Sequence, residues 1–482
     1  MLANAQSGPT APSAAAFQVP DQIGRALGQR LAELSTADVP DDILALTRLF
    51  VLDTLGVLAA GTKAPGIAEL ASAIQQMEPS GGVATILVGG SSGSPMAAAL
   101  VNAAAAHALD YDDTHDVARV HAFSVVLPAA LAAAEMEGNV SGRNFLGALA
   151  LGAELFCRFG LACPNNLAKG WHPTTGFGCF AAAAVAAKLF GLTGDKMTQA
   201  LALAYVQMSG NTQSIADGAL SKRLGPGFAA RNGVLAAHLS RAGLTGPWRF
   251  LEGAAGLFAL YEDGGGHPDL LLQDLGAQWR LRELSMKPYP CCRCTHTLIH
   301  IGLDLHREGI DASEIESGTL YLGETNHGIV GARFDRNHSN PVVHAQFNAC
   351  YAFAQALEDG EIGIHTFTKE RVVAQTSLAS RLTCKTSSEI PADALAPAGL
   401  RLVFKDGTER VVTRPTMKGS PEDPMSEADV MEKFSANLSW GWNLDAAQAA
   451  SLAEQVFALG EAGDVRSLIK ALGVASRNAG AN

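Results

Sequence analysis

Two polar clusters interrupt a chain that is otherwise rich in alanine: His107-Ala-Leu-Asp110-Tyr-Asp112-Asp113-Thr114, with Arg119 and His121 behind it, and Gly170-Trp171-His172-Pro173-Thr174-Thr175. Each lies at one end of a long apolar run. Residues 97–106 are nearly all alanine, and residues 177–190 carry Lys188 as their only charge. A helix that is apolar on every side is a buried helix. Ionisable groups at its end are costly unless they are paired or used. Two such ends imply a buried polar pocket, and histidines and aspartates in one pocket imply proton chemistry.

The spacing of His107, Asp110 and Thr114 puts them on one helical face. There an aspartate can fix the tautomer of an imidazole. Asp112 and Asp113 add like charges, which can raise a carboxyl pKa. Two other readings of this acidic group stay open: a solvated helix end, and a Mg²⁺ site. Arg119 could clamp a carboxylate through its guanidinium fork, and His121 follows in a loop. His172 precedes a helix that Thr174 or Thr175 could cap. The dipole of that helix favours the neutral imidazole, and its N-terminus attracts carboxylates. Lys222 sits in Ser221-Lys222-Arg223-Leu224-Gly225-Pro226-Gly227, before a helix expected over residues 228–241, and reads either as an anion site there or as a solvated loop lysine. This segment is not a P-loop, and no GxGxxG follows a strand, so nucleotide binding has no support. Cys291-Cys292-Arg293-Cys294-Thr295-His296 holds a single CxxC with no second pair, a poor match to a metal site. Cys292 and His296 read better as pocket-lining residues, or the cysteines as small buried hydrophobes.

The elements that must position these residues are mostly helical. Helices are expected over residues 21–35, 41–60 (with Asp53 inside the apolar stretch 49–58), 65–76, 95–109, 124–138, 143–159, 177–190 and 195–210. A short strand is expected at 84–90. Past residue 284 alanine thins out. A strand at 319–322, a helix at 345–358 and a hairpin, 400–404 with 410–413 about Lys405-Asp406-Gly407, are expected there. Helical patterning returns over 431–438 and 446–472. The simplest build is mainly α: a large all-helical domain made from both chain ends, 21–284 and 424–478, with a smaller α+β lid domain inserted at 285–423. Residues 1–20 read as a disordered tail, not a signal peptide.

Composition agrees. The chain has 482 residues, 48% hydrophobic and 17% charged, with a net charge of −12 and no basic cluster, which argues against a nucleic-acid partner. No purely apolar run approaches about 18 residues, so no membrane span is expected. Eight cysteines are ordinary for a reduced, cytoplasmic protein.

Together these motifs resemble the MmgE/PrpD family, which includes 2-methylcitrate dehydratases, cis-aconitate decarboxylases and iminodisuccinate epimerases. The resemblance is carried by Asp53-Thr54-Leu55-Gly56, the two polar clusters, Lys222 with Ala229-Ala230-Arg231-Asn232-Gly233, Lys287-Pro288-Tyr289-Pro290-Cys291-Cys292 and Ser420-Pro421-Glu422-Asp423-Pro424-Met425. It implies a homodimer without cofactor or metal, and a site between helical domain and lid. The family's site positions fall on Asp110, Thr114, His121, His172 and Lys222. Its lid histidine of the decarboxylases falls on Cys292; the epimerase-like branch also has cysteine there, and its Asp-Asp-Ser/Thr…Arg…His spacing is similar to Asp113-Thr114…Arg119…His121. The decarboxylases' lid tyrosine has no counterpart around residues 334–341.

The expected activity is therefore that of a cofactor-independent lyase or isomerase. It would move a proton at a carbon next to a carboxylate of a small di- or tricarboxylate, by dehydration, decarboxylation or epimerisation. His121 and His172 are the expected acid and base, with Lys222, Asp110 and Cys292 as catalytic partners. Thr114, Arg119, His107, Thr174, Arg231 and His296 are the expected substrate-binding groups. The alternative of another class is a non-catalytic helical binding or scaffold protein that keeps the fold.

Overall fold

Small side chains let the central helices of this protein approach closely. The computed structural model describes residues 21–165, 169–374 and 378–480; the tail expected over residues 1–20 lies outside them. Helix Pro95–His107 starts with Ser94, whose side chain accepts from Ala97 N, and with Pro95 in the first turn. It is buried from Ala97 to His107. Helices Phe123–Glu137 and Leu224–Arg241 pack against it and on each other, and Pro173–Leu189 packs on both of them. Two glycines make that packing possible. A Cβ on Gly227 would lie 2.5 Å from Leu100 O, and one on Gly233 2.6 Å from Ala183 N. Any larger residue would force these backbones apart.

Helix Asp41–Gly61 packs against both Pro95–His107 and Glu427–Trp442, so the last part of the chain joins the first. One apolar core runs through residues 23–286 and resumes at 430–475. Two smaller apolar clusters draw on residues between Tyr289 and Leu402. There, strands Leu382–Thr386, Ile315–Leu322, Ala398–Phe404 and Glu409–Arg414 form one sheet in that order. The first pair is parallel and the others antiparallel. Helices His296–Arg307 and Ala349–Asp359 pack on each other and against this sheet. The protein is mainly α.

Several boundaries differ from the sequence reading. The strand expected at 84–90 is a small hairpin, Ala84–Ile86 with Ser91–Gly93. Helix Leu224–Arg241 begins earlier than expected, because Pro226 is tolerated in a first turn. The single helical run over 446–472 is two helices, Ala446–Phe457 and Arg466–Ser476. No membrane-length run was expected, yet Asp41–Gly61 and Gly142–Ala162 are long and apolar enough by length and composition. Their most apolar stretches are 78% and 94% buried within the protein, as core helices are.

A buried ion pair anchors the loop that follows the helical core. Arg158 Nε lies 2.6 Å from Glu154 Oε1, and the guanidinium also donates to Leu270 O, Gln273 O and Gln278 O. Leu281 N donates to the other Glu154 oxygen. Removing one member of such a pair strands its partner in a dry interior. Arg158→Met should therefore lower stability by about 3–5 kcal/mol. Glu154→Leu/Arg158→Met should recover only the part due to the stranded carboxylate in denaturant unfolding, because Leu270 O, Gln273 O, Gln278 O and Leu281 N lose their partners. An unchanged midpoint for the single variant contradicts this.

Candidate active site

The turn after helix Pro95–His107 builds the site. The helix stops at His107, and Asp110 takes a left-handed backbone, φ 54°. Thr114 lies in a two-residue strand paired with Ser285. His107, Asp110 and Thr114 therefore do not share a helical face, as their spacing suggested. The partner of His107 is Asp112: its Nδ1 is 2.8 Å from Asp112 Oδ2. Asp113 does something different. Its two oxygens accept from Ala122 N and Phe123 N and so cap helix Phe123–Glu137.

Three imidazoles gather here. His107 and His121 have ring centroids 4.8 Å apart, and His107 and His172 6.4 Å apart. His121 Nδ1 donates to the Asp113 carbonyl at 2.7 Å. A carbonyl only accepts, so the proton of neutral His121 sits on Nδ1 and its Nε2 carries a lone pair. His172 is itself the residue preceding helix Pro173–Leu189, and neither Thr174 nor Thr175 caps that helix. Thr175 Oγ1 instead bonds His172 Nδ1 at 2.8 Å, and Thr174 Oγ1 accepts from His121 N. Burial pushes all three imidazoles down: His121 to about 3, His172 well below its ordinary value with Lys222 adding to the effect, and His107 less far. All three are neutral at pH 7. Burial also disfavours the Asp112 anion, but the hydrogen bond from His107 and the Lys287 charge act against it and hold that carboxyl low. Burial and the Asp112 charge push Asp113 up to about 8, against its two backbone donors.

Asp110 is bridged by two lysines. Lys222 Nζ lies 2.6 Å from Oδ1, and Lys287 Nζ lies 3.2 Å from Oδ2 and donates to Asp110 O at 2.8 Å. Burial opposes its ionisation, yet the two ammonium groups hold Asp110 well below the usual carboxylate range. A cavity of about 30 Å³ opens beside His107, Asp110, Lys222, Gln346 and Phe347.

The remaining candidates scatter. Cys292 is buried and its N–H donates to Gln346 O, which places it at the edge of this group. A hydrogen bond from the Cys294 thiol lowers the Cys292 thiol, against burial. Arg119 has a left-handed backbone and is half-buried. His296 is turned into its own segment, 3.3 Å from Cys291 O and from Arg293 Nη1. Arg231 bonds Asn232 Oδ1 and lies over the Phe228 ring, outside the imidazole group. Lys287 and Lys433 belong to the site's framework but were given no role from sequence, whereas Asp112, read there as an added like charge, is the partner of His107. The signal for Lys433 was Asp53, an acid inside an apolar helix that needs a cation; Lys433 Nζ lies 2.7 Å from its Oδ1.

Among the described residues, His107, Asp112 and His121 form a group whose donor atoms, all within 4.8 Å, could hold a metal ion. Both Nδ1 atoms are already hydrogen-bonded, one to Asp112 and one to Asp113 O. Each ring still has Nε2 to offer, and an Nδ1–H held by a carboxylate or a backbone carbonyl is the usual support of a metal-binding imidazole. The Mg²⁺ reading of Asp112 and Asp113, left open by the sequence, is not what the geometry offers, since Asp113 is taken up by a helix end.

Two family descriptions match this chain: the MmgE/PrpD N-terminal domain over residues 25–268 and the MmgE/PrpD C-terminal domain over residues 289–459. A cis-aconitate decarboxylase-like protein of Aspergillus oryzae is 30% identical over 464 residues, covering 91% of this chain and 95% of the relative. A cis-aconitate decarboxylase of Aspergillus terreus is 28% identical, with 92% of this chain and 94% of the relative covered. The human cis-aconitate decarboxylase is 29% identical, with 84% and 86% covered. With both domains matched in order along most of its length, the chain belongs to the MmgE/PrpD family.

Proposed function

We propose that this protein is a cofactor-independent lyase or isomerase that moves a proton at a carbon next to a carboxylate of a small di- or tricarboxylate. One observation carries the reading: neutral imidazoles, one with a fixed tautomer, stand beside a carboxylate bridged by two ammonium groups. Such a site offers proton acceptors and positive charge within one shielded space. The names of the relatives support the lyase branch and a tricarboxylate such as cis-aconitate as the first substrate to test. The resemblance at Cys292, cysteine where the decarboxylases have histidine, keeps dehydration and epimerisation within the same reading.

The chemistry follows from charge. Substrate carboxylates meet Lys222 and Arg119. A polyanion beside His121 and His172 raises their pKa, so a proton taken up with the substrate is available for transfer. In a decarboxylation the C–C bond to one carboxylate breaks, CO₂ leaves, and the electron pair stays on carbon. Lysine charge and the helix N-terminus after His172 stabilise that pair. An imidazolium then returns its proton to the carbon. In epimerisation the same groups remove a proton from one face and replace it on the other. Asp110 aims Lys222, Thr114 is a hydrogen-bonding group, and Cys292 is a second proton source.

Incubation with cis-aconitate, citrate and amino-dicarboxylates in D₂O, followed by NMR, reads both turnover and exchange at carbon. His172→Ala should lose about 10²–10⁴-fold in rate while keeping its circular dichroism spectrum. Wild-type turnover by this variant removes His172 from the mechanism. Acids that bind but neither exchange nor react would favour the non-catalytic binding protein. EDTA should leave the rate unchanged. A loss restored by added metal would instead make the His107–Asp112–His121 group a metal centre.

A further inference from the structure

We propose that Lys433 is a positioning residue for this site: from helix Glu427–Trp442 it fixes the Asp110–Tyr111 turn relative to Lys287, so that the Lys222–Asp110–Lys287 bridge can form. Its kinetic test rests on the proton-transfer reading above; its structural test does not.

Lys433 is buried, and its ammonium has three N–H groups to satisfy. One faces Asp53 Oδ1 at 2.7 Å. The others donate to Tyr111 O at 3.0 Å and to Lys287 O at 2.7 Å. Those two carbonyls are telling. One belongs to the residue that follows Asp110. The other belongs to Lys287, whose own Nζ grips Asp110 O and approaches Asp110 Oδ2. The contacts form a closed loop: Lys433 holds Lys287, Lys287 holds Asp110, and Lys433 holds the residue next to Asp110. The face of the Tyr111 ring, 3.9 Å from Nζ, completes the enclosure.

Asp110 needs such support, because a left-handed backbone at a non-glycine residue persists only where its surroundings over-determine it. Stability alone does not account for a lysine here. Burial pushes Asp53 up and Lys433 down, so both ions resist their surroundings. Apolar side chains of similar volume are usually as stable as a buried ion pair, or more so. What they cannot do is donate to two carbonyls from separate chain segments.

That difference gives the experiment. Lys433→Met alone strands the Asp53 carboxylate and can fail to fold. Asp53→Leu/Lys433→Met removes both charges together. We expect this double variant to unfold within a few degrees of wild type. Its kcat should fall about 10- to 100-fold, the scale of a small misplacement of catalytic groups, with KM changed less than about threefold. The acidic limb of its kcat–pH profile should move up, because Asp110 loses part of the Lys287 charge. A stable double variant with wild-type kcat and pH profile makes Lys433 a structural residue only. A double variant that cannot fold also overturns the proposal, since the lysine would then serve the whole core. If the wild type turns over none of the acids tested, the proton-transfer reading falls by itself. Amide hydrogen exchange then decides: residues 109–113 and 285–288 should exchange faster in the double variant, and unchanged protection there refutes the positioning role.

Discussion

The bridge of Asp110 between Lys222 and Lys287 is the constraint around which this site is built. Two ammonium groups share one carboxylate, and a third, Lys433, holds the backbone on which two of the three partners sit. These groups come from chain segments far apart: the turn after helix Pro95–His107, the loop before helix Leu224–Arg241, the stretch following strand Leu284–Ser285, and the C-terminal helix. None of these segments could bury its charge alone. Each ion is tolerable in the interior because the others are in place, so formation of the site and docking of the chain ends are one event.

Beside that bridge the imidazoles are kept uncharged. Burial alone would make them weak bases of indefinite tautomer. The Asp113 carbonyl settles the question for His121, and the ionised Asp112 does the same for His107, because each accepts a hydrogen bond from Nδ1–H. The division of labour between adjacent aspartates depends on backbone direction. Asp112 points back to the imidazoles. Asp113 points forward to the N-terminus of helix Phe123–Glu137, where two N–H groups receive it. Neighbouring identical residues thus acquire opposite behaviour, one carboxyl held low and the other raised to about 8.

Much of the scaffold was legible because helical periodicity and caps are local. The alanine-rich runs do form buried helices, and the hairpin at Ala398–Phe404 and Glu409–Arg414 falls where Asp406-Gly407 signals it. The polar residues of both clusters were legible as types, and His107, His121 and His172 do come together. Their pairings were not. Extending the helix past His107 predicted an Asp110 partner for that histidine, whereas the left-handed turn at Asp110 sends it to the lysines and brings Asp112 round instead. Such a turn is invisible to a spacing argument that assumes 3.6 residues per turn. Lys433 was invisible for another reason. Asp53 announced that some cation was required, but only the tertiary fold selects which one. Arg231 shows the converse: it sits in a family motif, yet its guanidinium is satisfied by its neighbour Asn232.

The size of the cavity adds a consequence for how such a site works. About 30 Å³ beside His107, Asp110 and Lys222 is room for about one or two waters, and the tricarboxylate proposed above needs far more. Entry of such a substrate would require the walls to move. The wall that moves is set by which contacts are weakest. The helical wall is held by core packing and by the buried lysine network. The opposite wall, with Gln346 and Phe347, meets it through Gln346 Nε2 to Leu109 O, Asn340 Nδ2 to Gly218 O, Tyr111 Oη to Pro288 O and the Arg293–Asp116 ion pair. Single neutral hydrogen bonds contribute about 0.5–1.5 kcal/mol each, less than the loss of a buried ion pair. The Lys222–Asp110–Lys287 contacts themselves are not among these ties, so the charged bridge and the seam are held by separate sets of interactions.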